Sequence, residues 1–481
     1  MSGDGLSGTL DETATRRQVL WVLIVGLVSW FILWRLVPAG VNAQLGLVFV
    51  SLVTLVALVV VIDSRNWWRS PGVWFAVAAG LIFFVRPLVD LIDEESSYQL
   101  NLYIGATYEQ ALEMGALGIM SFTIGYAWLG RGSRPLHHPR RIDVDEKRFN
   151  RGAILVVVVS VLLTSVFVTT SGGLGVFLGG RTDRTAAALE ASSGYLYSAP
   201  QWIFPIGLYY IVASYRGGTR LQRVFGIALV AGSQGLSILL GSRSYFLIAA
   251  LACTLAVLIS RSARPRLLVA VGLIPLVVYL GIIVPRLYRT SDSSEGSVAV
   301  ALDASLNELG GSDWYKFLQS DDFAMARNLA LALRVVPEKT GFGFGETYLA
   351  AAVRPLPRQL FAEDKPPDVD SIINARAIYP YRSTITGYSY SYVSEPFYNF
   401  GYFGVIGFSV GLGLVLRSLR NGISDSQSKS AQYIVYYSVV VASLLVFVRG
   451  NLGTDYQRLL FFILPLWFVV LYGRADATRG L

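Results

Sequence analysis

The chain has 481 residues, 53% of them hydrophobic and only 15% charged, whereas a soluble domain is about a quarter charged. Several apolar runs exceed roughly 17 residues, the length a helix needs to cross a bilayer core, so a soluble class is excluded and a polytopic all-α membrane protein is expected. The formal charge of +8 is weak evidence for a nucleic-acid partner, and none is expected; surplus arginine in a membrane protein more often marks the cytoplasmic face. The single cysteine, Cys253, lies in an apolar segment. One thiol and two histidines argue against a metal cluster, and no cofactor is expected.

Residues 1–18 read as a cytoplasmic tail. Asp4, Asp11 and Glu12 precede Arg16 and Arg17, and the apolar run that follows has no small-residue cleavage pattern, so it reads as an anchor and not a cleaved signal. About twelve spans follow, at 19–37, 41–62, 72–90, 110–129, 152–170, 199–215, 224–240, 244–260, 267–284, 398–416, 432–448 and 457–473. Residues 19–284 thus hold the first nine spans, 285–397 a large loop, 398–473 the last three spans and 474–481 a second tail.

The charge pattern tests this arrangement. With the N-terminus inside, the inner connections carry Arg65 and Arg69, the run Arg131 to Arg151, Arg216 to Arg223, Arg261 to Arg266, and Arg417, Arg420 and Lys429. The outer connection after the third span carries Asp90, Asp93, Glu94, Glu95 and Glu109 against Arg86. This follows the positive-inside rule, returns the C-terminus to the cytoplasm and places 285–397 outside. Trp67, Trp68, Trp74 and Trp202 sit near span ends, as interfacial anchors do. His137 and His138 fall in a basic inner loop and read as solvated. No internal repeat is evident, which weakens a secondary-transporter reading.

Within the loop, Val298–Leu309 and Asp321–Val336 are helix candidates. The second mixes Leu329, Leu331 and Leu333 with Arg327 and Arg334, is expected along the membrane surface, and is stopped by Pro337. The Gly-Phe-Gly-Phe-Gly run at 341–345 is a turn with room for backbone to approach a ligand. It lacks the spacing of a nucleotide fingerprint.

Arg243, in Gly-Ser-Arg-Ser at 241–244, lies at the outer end of a hairpin between two apolar spans. It either snorkels or clamps a phosphate, because a guanidinium fork fits phosphate oxygens. Arg286, Arg289, Arg449 and Arg458 also fall on the outer side, against the charge bias, and with Arg243, Arg354 and Arg358 suggest an anionic ligand at the outer boundary; Arg243 and Arg358 are the first candidates for pyrophosphate contact, with Arg286, Arg289, Arg449 and Arg458 in support. Glu395, just before the tenth span, is the candidate general base or an ion-pair partner of an arginine. Glu346, Asp364, Asp370 and Asp455 rank behind it. Tyr348, Tyr392, Tyr398 and Asn399 are candidate sugar contacts; Tyr388 and Tyr390 lie in the same run, and tyrosine at an interface needs no ligand. Together these residues suggest glycosyl transfer from a lipid-linked pyrophosphate sugar at the outer leaflet.

The chain resembles the bacterial oligosaccharide repeat-unit polymerases, the Wzy-type O-antigen polymerase family. The resemblance rests on the multi-span layout, Gly-Ser-Arg at 241–243, Gly345, Tyr348, Pro357, Arg358, Lys365 and Pro366 in the loop, and Glu395, Asn399, Phe400, Gly401 and Gly404 at the next span. It departs at Gln359–Asp364, where many relatives have an aromatic residue and a proline. The resemblance implies a glycosyltransferase-C-like fold, metal-independent polymerisation of undecaprenyl-pyrophosphate-linked repeat units outside the cytoplasmic membrane, and a chain-length regulator and flippase as partners. An O-antigen ligase-like transferase and a flippase of lipid-linked oligosaccharide stand as alternatives.

Overall fold

The computed structural model describes residues 42–63, 67–92, 106–132, 144–170, 194–239, 243–260, 323–356, 369, 372–373, 390–424 and 430–474. The expected spans at 19–37 and 267–284, the helix at 298–309, and Arg286, Arg289, Arg358, Asp364 and Asp370 lie outside these residues, as does the side chain of Arg243.

The described residues are helical, without a strand, and carry one isolated bridge between Val144 and Arg474. In chain order the helices are α1 (Asn42–Ile62), α2 (Pro71–Gly80), α3 (Arg86–Ile92), α4 (Ala106–Thr123), α5 (Glu146–Thr170), α6 (Ile203–Ser214), α7 (Arg220–Leu239), α8 (Arg243–Ser260), α9 (Met325–Leu333), α10 (Glu346–Val353), α11 (Ser394–Ser424), α12 (Ala431–Phe447) and α13 (Leu452–Tyr472). A π-turn at Leu81–Val85 joins α2 to α3, and a second at Ile124–Trp128 extends α4. Among the described residues five helical stretches are long and apolar enough to cross a membrane: Ala43–Ile62, Pro71–Leu91, Glu146–Thr170, Ser394–Ile423 and Leu452–Tyr472. At about 1.5 Å per residue, the 25 residues of α5 reach about 37 Å, more than the roughly 30 Å hydrocarbon core. Helix is the form such apolar runs take because every backbone polar group is then satisfied internally. Even the hydroxyls bond backward, Ser51 to the Leu47 carbonyl at 2.6 Å and Thr54 to that of Val50 at 2.7 Å.

The chain divides into two compact units. The first draws on 1–137, 315–424 and 444–457. In it α4 packs against α1, α9 and α11. The α4–α11 contact is backbone on backbone: a Cβ at Gly125 would lie 2.2 Å from the Val410 carbonyl oxygen, and one at Gly413 would lie 2.4 Å from that of Phe122. Small residues permit this approach, a common device between membrane helices. Aromatic rings of Phe75 and Phe122 stack alongside at 3.8 Å. Helix α9 ends at Leu333, ahead of Pro337. Its apolar face, with Leu329 and Ala330 fully buried, packs on α4.

The second unit draws on 138–314, 425–443 and 458–481. Helices α6 and α7 form a close hairpin in which a Cβ at Gly226 would meet the Gly207 carbonyl oxygen at 2.6 Å. Ser160 donates to the Ala199 carbonyl at 2.6 Å and Ser233 to that of Pro200 at 2.7 Å, satisfying polar groups within apolar helices. Phe462 of α13 packs edge-on to Phe204 and Tyr245.

Gly413 and Gly411 give opposite expectations for one substitution. Gly413→Ala forces a Cβ into the α4 backbone and should lower the thermal midpoint in detergent, overpacking costing about 1–3 kcal/mol. Gly411→Ala meets nothing within 4 Å, and should be neutral or raise the midpoint through helix propensity, worth about 0.5–1 kcal/mol.

Candidate functional site

The site in the first unit is built around a break in α11. Phe400 (φ −140°, ψ 18°) and Gly401 (φ 60°, ψ −147°) are non-helical inside it. Glycine carries the left-handed conformation without a side-chain clash. Gly404 is needed one turn on, where a Cβ would lie 2.1 Å from the Pro396 carbonyl oxygen. The break frees the carbonyls of Tyr398 and Asn399 from their usual intrahelical donors. The glycine-rich run fills them: Gly343 N–H donates to Tyr398 O at 2.9 Å, and Phe344 N–H to Asn399 O at 3.1 Å.

Asn399 completes the joint. It is fully buried; its Oδ1 accepts the Gly345 N–H at 2.8 Å, and its Nδ2 donates to Thr347 Oγ1 at 2.6 Å and to the Glu395 carbonyl at 2.9 Å. The run at 341–345 was expected to leave its backbone open to a ligand. Instead, three consecutive N–H groups are taken by residues 398 and 399. Phe344 sits at φ 45° and Gly345 at φ 98°, a conformation that costs a phenylalanine about 1–3 kcal/mol and is held by these bonds.

Glu395 is 4% exposed. Its Oε2 accepts the N–H of Leu452, the first residue of α13, at 2.6 Å. The carboxylate therefore caps a helix start from another segment, where the positive end of the helix dipole favours an anion. Asn451 caps the same helix by accepting Thr454 N–H at 2.9 Å. The 390s and the α12–α13 turn are further joined by Tyr392 N–H donating to Val448 O at 2.9 Å. Arg449 follows directly in that turn. Asp455 folds back over Gly450, where a Cβ would lie 2.0 Å from its Oδ2, and Arg354 passes Gly453, with Cδ 3.4 Å from a Cβ placed there. The α13 start thus gathers Glu395, Asp455, Arg354 and Arg449.

Of the candidate sugar contacts, Tyr348 is half-buried. Its ring stacks on Phe408 at 6.3 Å and leans on Phe400. Burial, and then the nearby Glu395 carboxylate, push its phenol well above its ordinary value, so it is a neutral hydroxyl at physiological pH. Tyr398 donates its hydroxyl to Glu346 Oε1. Tyr392 is 3% exposed and lies edge-on to Phe75 and Phe83; its packing is that of a core residue. Arg243 is the first residue of α8 and Arg458 lies on α13, both in the second unit. Sequence reasoning placed Arg354 and Asp455 behind other residues. The Asn451–Thr454 cap was the available signal that a helix starts beside them. Next to this polar node Phe344, Leu349, Tyr402 and Phe403 are exposed. Among the described residues no group of acidic, cysteine and histidine side chains could hold a metal ion.

Fold and site define a multi-pass α-helical membrane protein with a polar node at the end of a broken span. Residues 374–476 match the family model described as O-antigen polysaccharide polymerase Wzy, so the C-terminal segment is similar to that family's. The match covers Glu395, Asn399, Gly401, Arg449 and Arg458. No curated protein and no solved structure matches the chain.

Asn399→Ala removes the acceptor for Gly345 N–H and both donated bonds. It should destabilise the protein by about 1–3 kcal/mol, the penalty for buried groups left unpaired. Hydrogen exchange should accelerate first at Gly343–Gly345, and unchanged exchange there would contradict the joint described above.

Proposed function

We propose that the protein polymerises polyprenyl-pyrophosphate-linked oligosaccharide repeat units into a cell-surface polysaccharide. The observation that carries this reading is the convergence of Glu395, Arg354, Arg449 and Asp455 at the start of α13, within and beside the segment that matches the Wzy family model. In this reading the chain has about twelve spans, both termini are cytoplasmic, the fold is glycosyltransferase-C-like, and the loop at 285–397 roofs the site on the outer face of a bacterial cytoplasmic membrane. A chain-length regulator and a flippase are its partners.

The reaction needs three things. An acceptor sugar hydroxyl must lose a proton as it attacks the anomeric carbon of the donor. The bond from that carbon to the pyrophosphate oxygen must break. The departing pyrophosphate must be stabilised. Glu395 takes the proton; its carboxylate is fixed by Leu452 N–H, so it meets the acceptor in a set orientation. The leaving pyrophosphate keeps the electron pair, and guanidinium forks oppose its charge. Arg354 and Arg449 are the described arginines beside Glu395, with Arg243, Arg286, Arg289, Arg358 and Arg458 proposed as further contacts. No metal is required for that neutralisation. Tyr348 presents its hydroxyl and ring to the sugars, whereas the buried Tyr398 acts through Glu346 and Asn399 through the loop it holds. The exposed Phe344, Leu349, Tyr402 and Phe403 suit the apolar part of an amphiphilic substrate.

Glu395→Gln keeps an acceptor oxygen for Leu452 N–H and removes the base. The variant should reach normal protein levels and lose at least about a hundredfold of its polymerising rate on a synthetic polyprenyl-pyrophosphate oligosaccharide, read as loss of the product ladder. A ladder at the wild-type rate would reject Glu395 as base. Single transfer to a different acceptor by wild-type protein would replace the polymerase by a ligase, and movement of intact lipid without transfer would replace it by a flippase. Arg449→Gln should lower the rate by about tenfold or more, the loss expected when a charge-stabilising donor is removed.

A further inference from the structure

A second polar cluster lies in the first unit, at the ends of four helices. Asp63 directly follows α1, Ser70 caps α2, Tyr126 lies in the π-turn after α4, and Arg417 and Arg420 belong to the last turns of α11. Helices α1, α4 and α11 end there and α2 begins there, so the cluster lies at one end of these helices. Its wiring is direct. Ser70 Oγ and Tyr126 OH are 2.6 Å apart, and Tyr126 OH donates to Asp63 Oδ2 at 3.3 Å. Arg420 Nη2 lies 3.2 Å and Arg417 Nη1 3.6 Å from the same Asp63 Oδ1. The Arg417 guanidinium also stands 5.6 Å over the Tyr126 ring, and its stem runs against Gly130, where a Cβ would lie 2.6 Å away.

The charges do not balance. Two guanidiniums share one carboxylate, and among the described residues no other acid pairs with either arginine. Arg420 is 6% exposed. Arg417 Nε and Nη1 and Arg420 Nε are buried and have no hydrogen-bond partner among the described residues. A buried cation without a counter-charge is strongly disfavoured. The C-terminal end of α11 offsets about half a charge at most, and the hydroxyls of Ser70 and Tyr126 carry none. Among the described residues the shortfall is one anion, and planar guanidinium forks fit phosphate oxygens best.

We propose that Arg417 and Arg420 form an anion site, closed from below by Asp63 and Tyr126, that takes one phosphate group at this end of the helices. The group is either the headgroup of an anionic phospholipid or a free phosphate. This site is separate from the polar node at Glu395 and does not depend on the reaction proposed for it.

The test uses full-length protein in neutral detergent, freed of bound lipid, with thermal unfolding as the readout. Phosphatidylglycerol, phosphatidylcholine and inorganic phosphate are added separately. A rise of several degrees with phosphatidylglycerol, absent with phosphatidylcholine, assigns the site to a lipid headgroup. A rise with inorganic phosphate in plain micelles assigns it to a soluble anion. Either rise should disappear in Arg420→Gln, which restores one arginine to one carboxylate, and persist in Lys147→Gln, an exposed cation elsewhere. Arg417→Gln, at the more exposed of the two guanidiniums, serves if the first variant does not fold, and should also abolish the rise. No rise in wild-type protein with any probe overturns the proposal, as does an equal rise in the arginine variants.

Discussion

The left-handed glycine at 401 is the constraint on which the candidate site rests. An unbroken α11 would consume the carbonyls of Tyr398 and Asn399 in its own ladder. The break hands them to the glycine-rich run, which is how a loop lacking regular structure acquires a fixed position. Asn399 adds its side chain to the same exchange and links the loop, α10 and the backbone of Glu395. Membrane-embedded backbone tolerates such a break only where other groups satisfy it, and here they come from the protein itself.

A single hydrogen bond of Glu395 fixes both a helix start and the carboxylate itself. Its carboxylate holds the first N–H of α13 and so fixes where that helix begins relative to the end of the 390s. The same bond fixes the carboxylate. Arg354 and Arg449 then lie close by because each flanks the same helix start, Arg354 through Gly453 and Arg449 through the turn it begins.

Much of the helical layout was legible in the sequence because apolar length is a strong signal. The helices at 42–62, 71–92, 146–170, 203–214, 220–239, 243–260, 394–424, 431–447 and 452–472 fall where the apolar runs were read. Glu395, Asn399 and Gly401 stood out through one motif. Long-range partners were not legible. Nothing local in Gly-Phe-Gly-Phe-Gly says that its N–H groups are already spent on residues 398 and 399. The burial of α9 also depends on α4, some 200 residues earlier in the chain, so its amphipathic pattern reads equally as a surface helix. Arg417 and Arg420 were absorbed into the basic bias of an inner loop, and only the fold sets both against a single Asp63.

The shared bonds of Asn399 have a mechanical meaning. The loop at 343–345, the start of α10 and the last turn before the break cannot move singly, because each is tied to the same amide. They form one rigid jaw. Shifting any one of them alone breaks a buried hydrogen bond, so a displacement at Gly345 is felt at Thr347 and at the Glu395 backbone.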